Sequence, residues 1–452
     1  MAGEIVEPAS GRSDPRRKIL LELFRAALES VDGRLCVKQA LTSARERGAP
    51  ATTAHGAAGT ATSADAGAGT SIDTGASAAG GAEGVVAGVA DEVPRAPVWA
   101  AAIGKAASAM MLGAQDALGA SLARGLVITK DDHVAPQLYT SPNIEVIESA
   151  HPMPDDRSLA AGERLLRWVD ELPPDVEPLF LISGGASSLV ESLVPGATFA
   201  QLTALNARGL ASGMSIVELN AQRAQLSQIK GGRLAARLAG RPARAFFISD
   251  VPGHDPAVIG SGLMGPGGEG DRVERTIVAS IDHAMERVRV EARKRGLSVS
   301  DDARVFDGAA ERLAVRFAHE LHMSQYQVCV WGGESTVQLP ENPGRGGRNQ
   351  HLALAAARII AGHDNLLLLV AGTDGTDGVT SDAGALVDGE TCSRVALSEM
   401  DVQDSLQRAD SGTALAAAGD LVHTGPTGTN VGDIVIGLKL GREAAEAFAV
   451  RP

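Results

Sequence analysis

Short apolar runs recur along this chain with segments of helical length between several of them, and no other feature constrains the fold as tightly. The runs are VWAAAIG from Val98, GLVIT from Gly125, IEVIE from Ile144, PLFLIS from Pro178, AFFIS from Ala245, VCVWGG from Val328, LLLLVAG from Leu366 and DIVIGL from Asp433. Most are continuous rather than alternating, the pattern of strands buried on both faces. The intervening segments Lys105 to Leu118, Asp156 to Leu172 and Arg272 to Arg293 read as helices, and RRKILLELFRAALESV over 16–31 reads as an opening amphipathic helix. The expectation is an α/β protein with largely parallel sheet. Many of the runs end in a loop rich in Gly, Ser or Asp, which is where open α/β sheets place their ligands.

A chain of 452 residues exceeds most single domains, so two domains are expected. With 55 acidic and 41 basic side chains the formal net charge is −14, which argues against nucleic acid or an anionic membrane as partner. Only 3 % of residues are aromatic, too few for base-stacking platforms. The 3 cysteines, Cys36, Cys329 and Cys392, are far apart and in no metal-binding spacing, which suits a reducing cytoplasm. No apolar run approaches the roughly 18 residues a membrane span needs, and no signal-peptide pattern opens the chain. Over 48–90 the sequence is almost wholly Ala, Gly, Thr and Ser without Lys, Arg, Leu or an aromatic residue. Such a segment cannot bury enough apolar surface to offset its ordering entropy, and a disordered insertion is expected there.

Chemistry concentrates in the loops. In ISGGASSLV, Ser183, Gly184, Gly185, Ser187 and Ser188 offer bare amides and hydroxyls suited to an anion. In GKAAS, Lys105 is read as the first residue of a helix, where its charge opposes the helix dipole and therefore suggests a use beyond structure. Lys230 and Arg233 flank a Gly pair in LSQIKGGRLA, and Asp250 ends the strand AFFIS. The densest polar cluster follows: WGGESTVQL, GRGGRNQHLALAAA, AGTDGTDGVTSDAGALVD and TGPTGTNVGDIVIGL. These strings carry Gly332, Gly333, Glu334, Arg345, Arg348, Asn349, Gln350, Asp374, Asp377, Asp382, Thr427, Asn430 and Asp433. Arginines give bidentate recognition of phosphate or carboxylate, and several carboxylates suit a hydrated magnesium ion. GPGGEG from Gly265 satisfies G-x-G-x-x-G but does not follow a strand directly, and no G-x-S-x-G elbow is present.

Taken in order, AIGKAA, HPMPD at His151 to Asp155, the SGG loop, IKGGRLA, ISDVPG, GRGGRNQ, GTDGTDG and GPTGTNVGD resemble the glycerate 2-kinases that carry a MOFRL domain, some of which are labelled hydroxypyruvate reductases. The resemblance runs from about Arg16 to Leu440 apart from the Ala/Gly insertion. It implies a Rossmann-like domain over 16–265 and a smaller α/β domain over 266–445, with the active site in the cleft between them. It also implies transfer of the γ-phosphoryl of ATP to the 2-hydroxyl of D-glycerate with Mg²⁺. Carried over residue by residue, it gives Lys105 and Arg348 central catalytic roles and has Asp250 orient or deprotonate the hydroxyl. Ser183, Gly184, Gly185, Ser187, Ser188, Arg223, Lys230 and Arg345 then meet substrate or phosphate. Gly332, Gly333, Glu334, Asn349, Gln350, Thr427 and Asn430 face the nucleotide, and Asp374 and Asp377 face the metal. The expected partners are small molecules, with a homodimer left open.

The chain departs from the family pattern where NAQRAQLS places Ala224 and Gln225 in a usual basic pair, where SGLM stands at Ser261 to Met264, and at Ala186 in the glycine loop. These changes bear on which hydroxy acid is accepted. The alternatives are a kinase for another small hydroxy acid, an NAD(P)-dependent hydroxypyruvate reductase and a ligand-binding paralogue without turnover.

Overall fold

Strands apolar on both faces need cover on both sides, and the chain provides it with two six-stranded sheets. A computed structural model describes residues 14–48, 96–212, 216–302 and 305–449; the insertion expected at 48–90 lies, apart from Gly48, outside the described residues. The first sheet contains β1 (Val98–Ile103), β2 (Leu122–Lys130), β3 (Ile144–Ser149), β4 (Glu177–Ile182), β5 (Ala243–Ser249) and β6 (Val273–Ser280). Their order is β3-β2-β1-β4-β5-β6 and every pairing is parallel, the doubly wound order of dinucleotide-binding sheets.

The second sheet contains β7 (Val305–Ala309), β8 (Val328–Thr336), β9 (Leu366–Gly372), β10 (Gly384–Asp388), β11 (Leu421–Val422) and β12 (Asp433–Lys439), in the order β11-β10-β9-β12-β8-β7. Here only β7 and β8 pair in parallel; the other pairings are antiparallel. The expectation of largely parallel sheet therefore holds for the first sheet and fails for the second. A continuous apolar run reports cover on both faces rather than strand direction. Leu366, Leu368 and Val370 pack on one side with the helices Ala310–Met323 and Arg348–Ile359, while Leu367, Leu369 and Ala371 pack on the other.

A second correction concerns Arg272 to Arg293, read above as one helix. Val273–Ser280 is the edge strand β6, and the helix is Ile281–Lys294. Because β6 pairs only with β5, half of its residues are partly exposed and its polar positions mimic a helical spacing. It also completes the first sheet although it follows residue 265, where the two domains are expected to divide.

The first helix, Pro15–Ser30, reaches across to the second sheet. Leu20, Leu23, Phe24 and Leu28 are buried in an apolar cluster shared with Ala100 and Ala102 of β1 and with Leu369 and Ile436 of the second sheet. The Arg17 guanidinium is buried and pairs with Asp388 at the end of β10 and, at 2.9 Å, with Asp420. A buried charge so paired cannot leave without stranding its partners, so it pins the helix to one register. Among the described residues no helix is long and apolar enough to cross a membrane.

Gly162 shows how tightly the first domain is closed. It lies inside the helix Asp156–Asp170, where Ala is normally the better residue, yet a Cβ there would sit 2.0 Å from the Glu191 carbonyl oxygen. Gly162→Ala should therefore lower stability by about 1–3 kcal/mol, read as a fall in the denaturation midpoint, despite its helix propensity. An unchanged or higher midpoint would show that the helix and the 191 segment are not in contact.

Candidate active site

Strand order reverses between β1 and β4, so the loops leaving their carboxyl ends diverge and open a crevice. The second sheet closes it. Because β8 and β9 lie either side of antiparallel β12, the carboxyl ends of β8 and β9 and the start of β12 share one edge, with Asp433 in register with Gly333 and Gly372. That edge faces the first sheet across a cavity of about 460 Å³, within the range of small-molecule sites. Lys105, Lys130, His151, Gly185 and Asp250 line it from the first sheet; Glu334, Arg348, Asp374, Asp377, Asn430 and Asp433 line it from the second.

Lys105 precedes the helix Ala107–Leu118 by two residues rather than starting it, because its amide donates to the Gly184 carbonyl at 2.9 Å. This ties the loops after β1 and β4 together and frees the side chain to cross the cavity, where Nζ donates to Asp374 Oδ2 at 2.7 Å. Burial alone would raise the Asp374 carboxyl, but the Lys105 ammonium and the Thr376 amide reverse this and hold it down at about 2. Burial likewise disfavours the Lys105 charge, and Asp374 outweighs it, raising its pKa. Both groups therefore stay charged. A second such knot joins Arg348 to Glu334 and, at 3.4 Å, to Asp433 Oδ2; burial works against the guanidinium, and the two carboxylates raise its pKa.

Two aspartates are pushed the other way. Burial raises Asp250 to about 6, opposed by Lys105 and reinforced by Glu334; burial raises Asp433 to about 6 against the pull of Arg348. Asp250 Oδ2 accepts from Asn430 Nδ2 at 3.3 Å, a contact between the two sheets' loops. Gly184 is required there, since a Cβ would lie 1.9 Å from Asp250 Oδ2 and 2.1 Å from Asn430 Nδ2.

Of the residues singled out from sequence, Lys105, Gly185, Asp250, Glu334, Arg348, Asp374, Asp377 and Asn430 come together at the cavity. Others fasten the frame. Ser183 Oγ accepts from the Ala106 amide at 3.0 Å, Ser187 and Ser261 share a 2.7 Å hydrogen bond, and Ser188 Oγ donates to the Gly185 carbonyl at 3.1 Å, so these hydroxyls are engaged by protein. Gly332 and Gly333 lie within β8, Gln350 donates to Thr380 at 2.6 Å, and Thr427 donates to the Thr373 carbonyl at 2.6 Å. Asn349 donates to Asp433 Oδ1 at 3.0 Å and thereby orients a cavity carboxylate.

Three basic residues do not line the cavity. Lys230 is 2 % exposed and its ammonium donates at 2.6 Å to Glu191, itself 0 % exposed, because Ser227 Oγ accepts from the 229 and 230 amides and turns the side chain inward. Arg223 donates to Asn220 at 3.3 Å, and Arg345 pairs with Asp382 at 3.1 Å with half its side chain in solvent. Conversely, the structure adds Lys130 and His151, which the sequence reading left without roles, and gives Asp433 a place in the site. Lys130 is the first charged residue at the carboxyl end of the apolar run of β2, the same placement that singled out Asp250 on β5.

Comparisons with known proteins match both halves of the chain. A domain of unknown function, DUF4147, matches residues 19–294 and the MOFRL family matches residues 327–433. A D-glycerate 2-kinase from Thermotoga maritima is 34 % identical over 377 residues, covering 75 % of this chain and 89 % of its own. A protein from Agrobacterium vitis bearing the provisional name hydroxypyruvate reductase is 36 % identical over 374 residues, 73 % of this chain and 96 % of its own. The crystal structure of a glycerate kinase from Thermotoga maritima superposes with a TM-score of 0.73 at 29 % identity, covering 94 % of this chain and 99 % of that one.

Asp377 separates a structural from a ligand role. Its two oxygens accept the amides of Asn349 and Gln350 at 3.1 and 2.8 Å, capping the helix Arg348–Ile359 that presents Arg348. Asp377→Ala should lower the melting temperature by the equivalent of about 1–2 kcal/mol in buffer containing a metal chelator. A side chain serving only as a metal ligand would leave it unchanged under those conditions.

Proposed function

Because the chain belongs to the family of glycerate 2-kinases that carry a MOFRL domain, we propose that it transfers the γ-phosphoryl group of ATP to the 2-hydroxyl of D-glycerate, giving ADP and 2-phosphoglycerate. The observation that carries this reading is the convergence of Lys105 and Arg348, delivered by opposite sheets, on one cavity rimmed with carboxylates. Phosphoryl transfer asks for positive charge around the equatorial oxygens of the moving group and for little covalent chemistry. The two cations supply that charge, each oriented in advance by an ion pair, so little reorganisation is left for the reaction. Asp250, raised toward neutrality at a strand end beside Lys105, is placed to accept the hydroxyl proton.

The residues present also suit the divalent cation such a transfer uses. The cavity's acidic groups are oxygen donors. That matches magnesium, which takes one or two carboxylates from protein and completes its shell with phosphate oxygens and water. Asp374, held ionised by Lys105, and Asp433, whose buried Oδ2 accepts no hydrogen bond, would hold it. When bound, the ion neutralises phosphate charge. Asp377 was the other expected ligand, and its capping of the helix amides favours Asp433 in its place.

A dehydrogenase would require the glycine fingerprint in the turn after β1. That turn reads GKAAS, with a lysine where a dinucleotide's pyrophosphate would approach. The kinase reading therefore stands ahead of the reductase name borne by some relatives. We divide the domains after the helix Ile281–Lys294, where the first sheet is complete, and we place the protein in the cytoplasm, where its free cysteines Cys36, Cys329 and Cys392 would stay reduced.

³¹P NMR of the protein with ATP, Mg²⁺ and D-glycerate should show a phosphomonoester on O2; a phosphate on O3, or none, would reject this reaction. Lys105→Ala should reduce kcat by on the order of 10²- to 10³-fold with the fold retained, and wild-type turnover would remove Lys105 from the mechanism. A base must be ionised to act, and Asp250 is protonated below its raised pKa. kcat/KM should therefore fall as pH drops through about 6, and Asp250→Asn should abolish that limb together with most of the activity. A limb that survives unchanged in the variant would assign it to another group.

A further inference from the structure

Of the three cations that line the cavity, Lys105, Lys130 and Arg348, one makes no ion pair among the described residues. Lys105 is paired with Asp374, and Arg348 with Glu334 and Asp433. Lys130, at the carboxyl end of β2, also lines the cavity yet makes no ion pair among the described residues. Burial and the neighbouring Lys105 charge work against its ammonium, and Asp374 and Asp132 favour it only from beyond ion-pair distance; an anionic ligand is the complement of such a group. The neighbourhood sharpens the choice of anion. His151 lines the same wall at the carboxyl end of β3, and its ring edges the Gly185 backbone, where a Cβ would meet its Nε2 at 3.1 Å. Burial, and then the charges of Lys105 and Lys130, lower its pKa to about 3, so at neutral pH it offers hydrogen bonding without charge.

We propose that Lys130 and His151 form the subsite for the carboxylate of the acceptor, leaving Lys105 and Arg348 to the phosphate groups. One cation outside any ion pair and one neutral imidazole fit a monoanion, whereas a triphosphate calls for several cations. The subsite lies on the same sheet edge as Asp250, with β1 and β4 between β2 and β5, and all three residues line the one cavity. The carboxylate is bound at the ends of β2 and β3. The inference deepens the kinase reading by naming the part of the site that selects hydroxy acids over neutral polyols.

Calorimetry of D-glycerate binding to the full chain without nucleotide tests it, alongside steady-state kinetics. Lys130→Met should weaken D-glycerate binding by on the order of 10- to 100-fold. KM for ATP should stay within about threefold, Lys130→Arg should recover most of the loss, and D-glyceramide should bind wild type and Lys130→Met alike. Should the Met variant fail to fold, Lys130→Gln and His151→Gln carry the same prediction in the same assay. Unchanged D-glycerate binding in folded variants, or a rise confined to the KM for ATP, would overturn the assignment. The two readings fail separately. If wild type forms 2-phosphoglycerate but Lys130→Met binds D-glycerate normally, the subsite falls and the kinase stands. If wild type forms no phosphomonoester yet D-glycerate binding depends on Lys130, the subsite stands and the kinase falls.

Discussion

A single apolar layer shared by both sheets is the constraint from which the rest of the structure follows. Side chains of the first helix and of Ile281–Lys294 pack in one cluster with β1, β4 and β5 on one side and with β8, β9 and β12 on the other. Burying this much apolar surface between the sheets fixes their relative position, and with it the distance between their polar edges. The first helix is therefore more than an N-terminal leader to the first domain. Its buried Arg17, held by Asp388 and Asp420, locks the beginning of the chain onto the second sheet.

Once the edges face each other, electrostatics completes the site. Nine ionisable groups, Lys105, Lys130, His151, Asp250, Glu334, Arg348, Asp374, Asp377 and Asp433, line one cavity, and water is partly excluded from it. At low effective dielectric an unpaired charge is costly and a paired one is held firmly, so cations and carboxylates from opposite sheets orient each other. The same burial separates the aspartates by function. Asp374 touches an ammonium and stays ionised, whereas Asp250 lacks a direct cationic contact and is raised toward neutrality. One residue type is thereby held as a fixed anion in one place and brought toward neutrality in another.

Much of this was legible from residue order. Continuous apolar runs marked eight of the twelve strands, and glycine-rich loops at their ends marked the rim of the cavity. The edge strand β6 was lost because partial exposure dilutes its pattern, and β10 because Gly384–Asp388 is short and follows a polar loop. Strand direction in the second sheet was not legible at all, since cover on both faces produces the same apolar run in either direction. Residues singled out at a strand end, as Lys105, Asp250 and Asp374 were, do line the cavity. It was misread at Lys230, whose basic motif looks like an anion site and whose ammonium is buried against Glu191.

The sequence by itself determined the elements and the chemical character of each loop, because hydrophobic periodicity and glycine placement act over a few residues. Only the tertiary structure decided which polar groups meet. Lys105 and Asp374 are 269 positions apart, Asp250 and Asn430 180 apart. Their contact depends on the shared apolar layer and on the register that sets Asp433 between Gly333 and Gly372. Lys230 and Lys105 are alike as residues. The fold gives one a buried carboxylate and the other a cavity, because partner choice is a property of packing rather than of the residue.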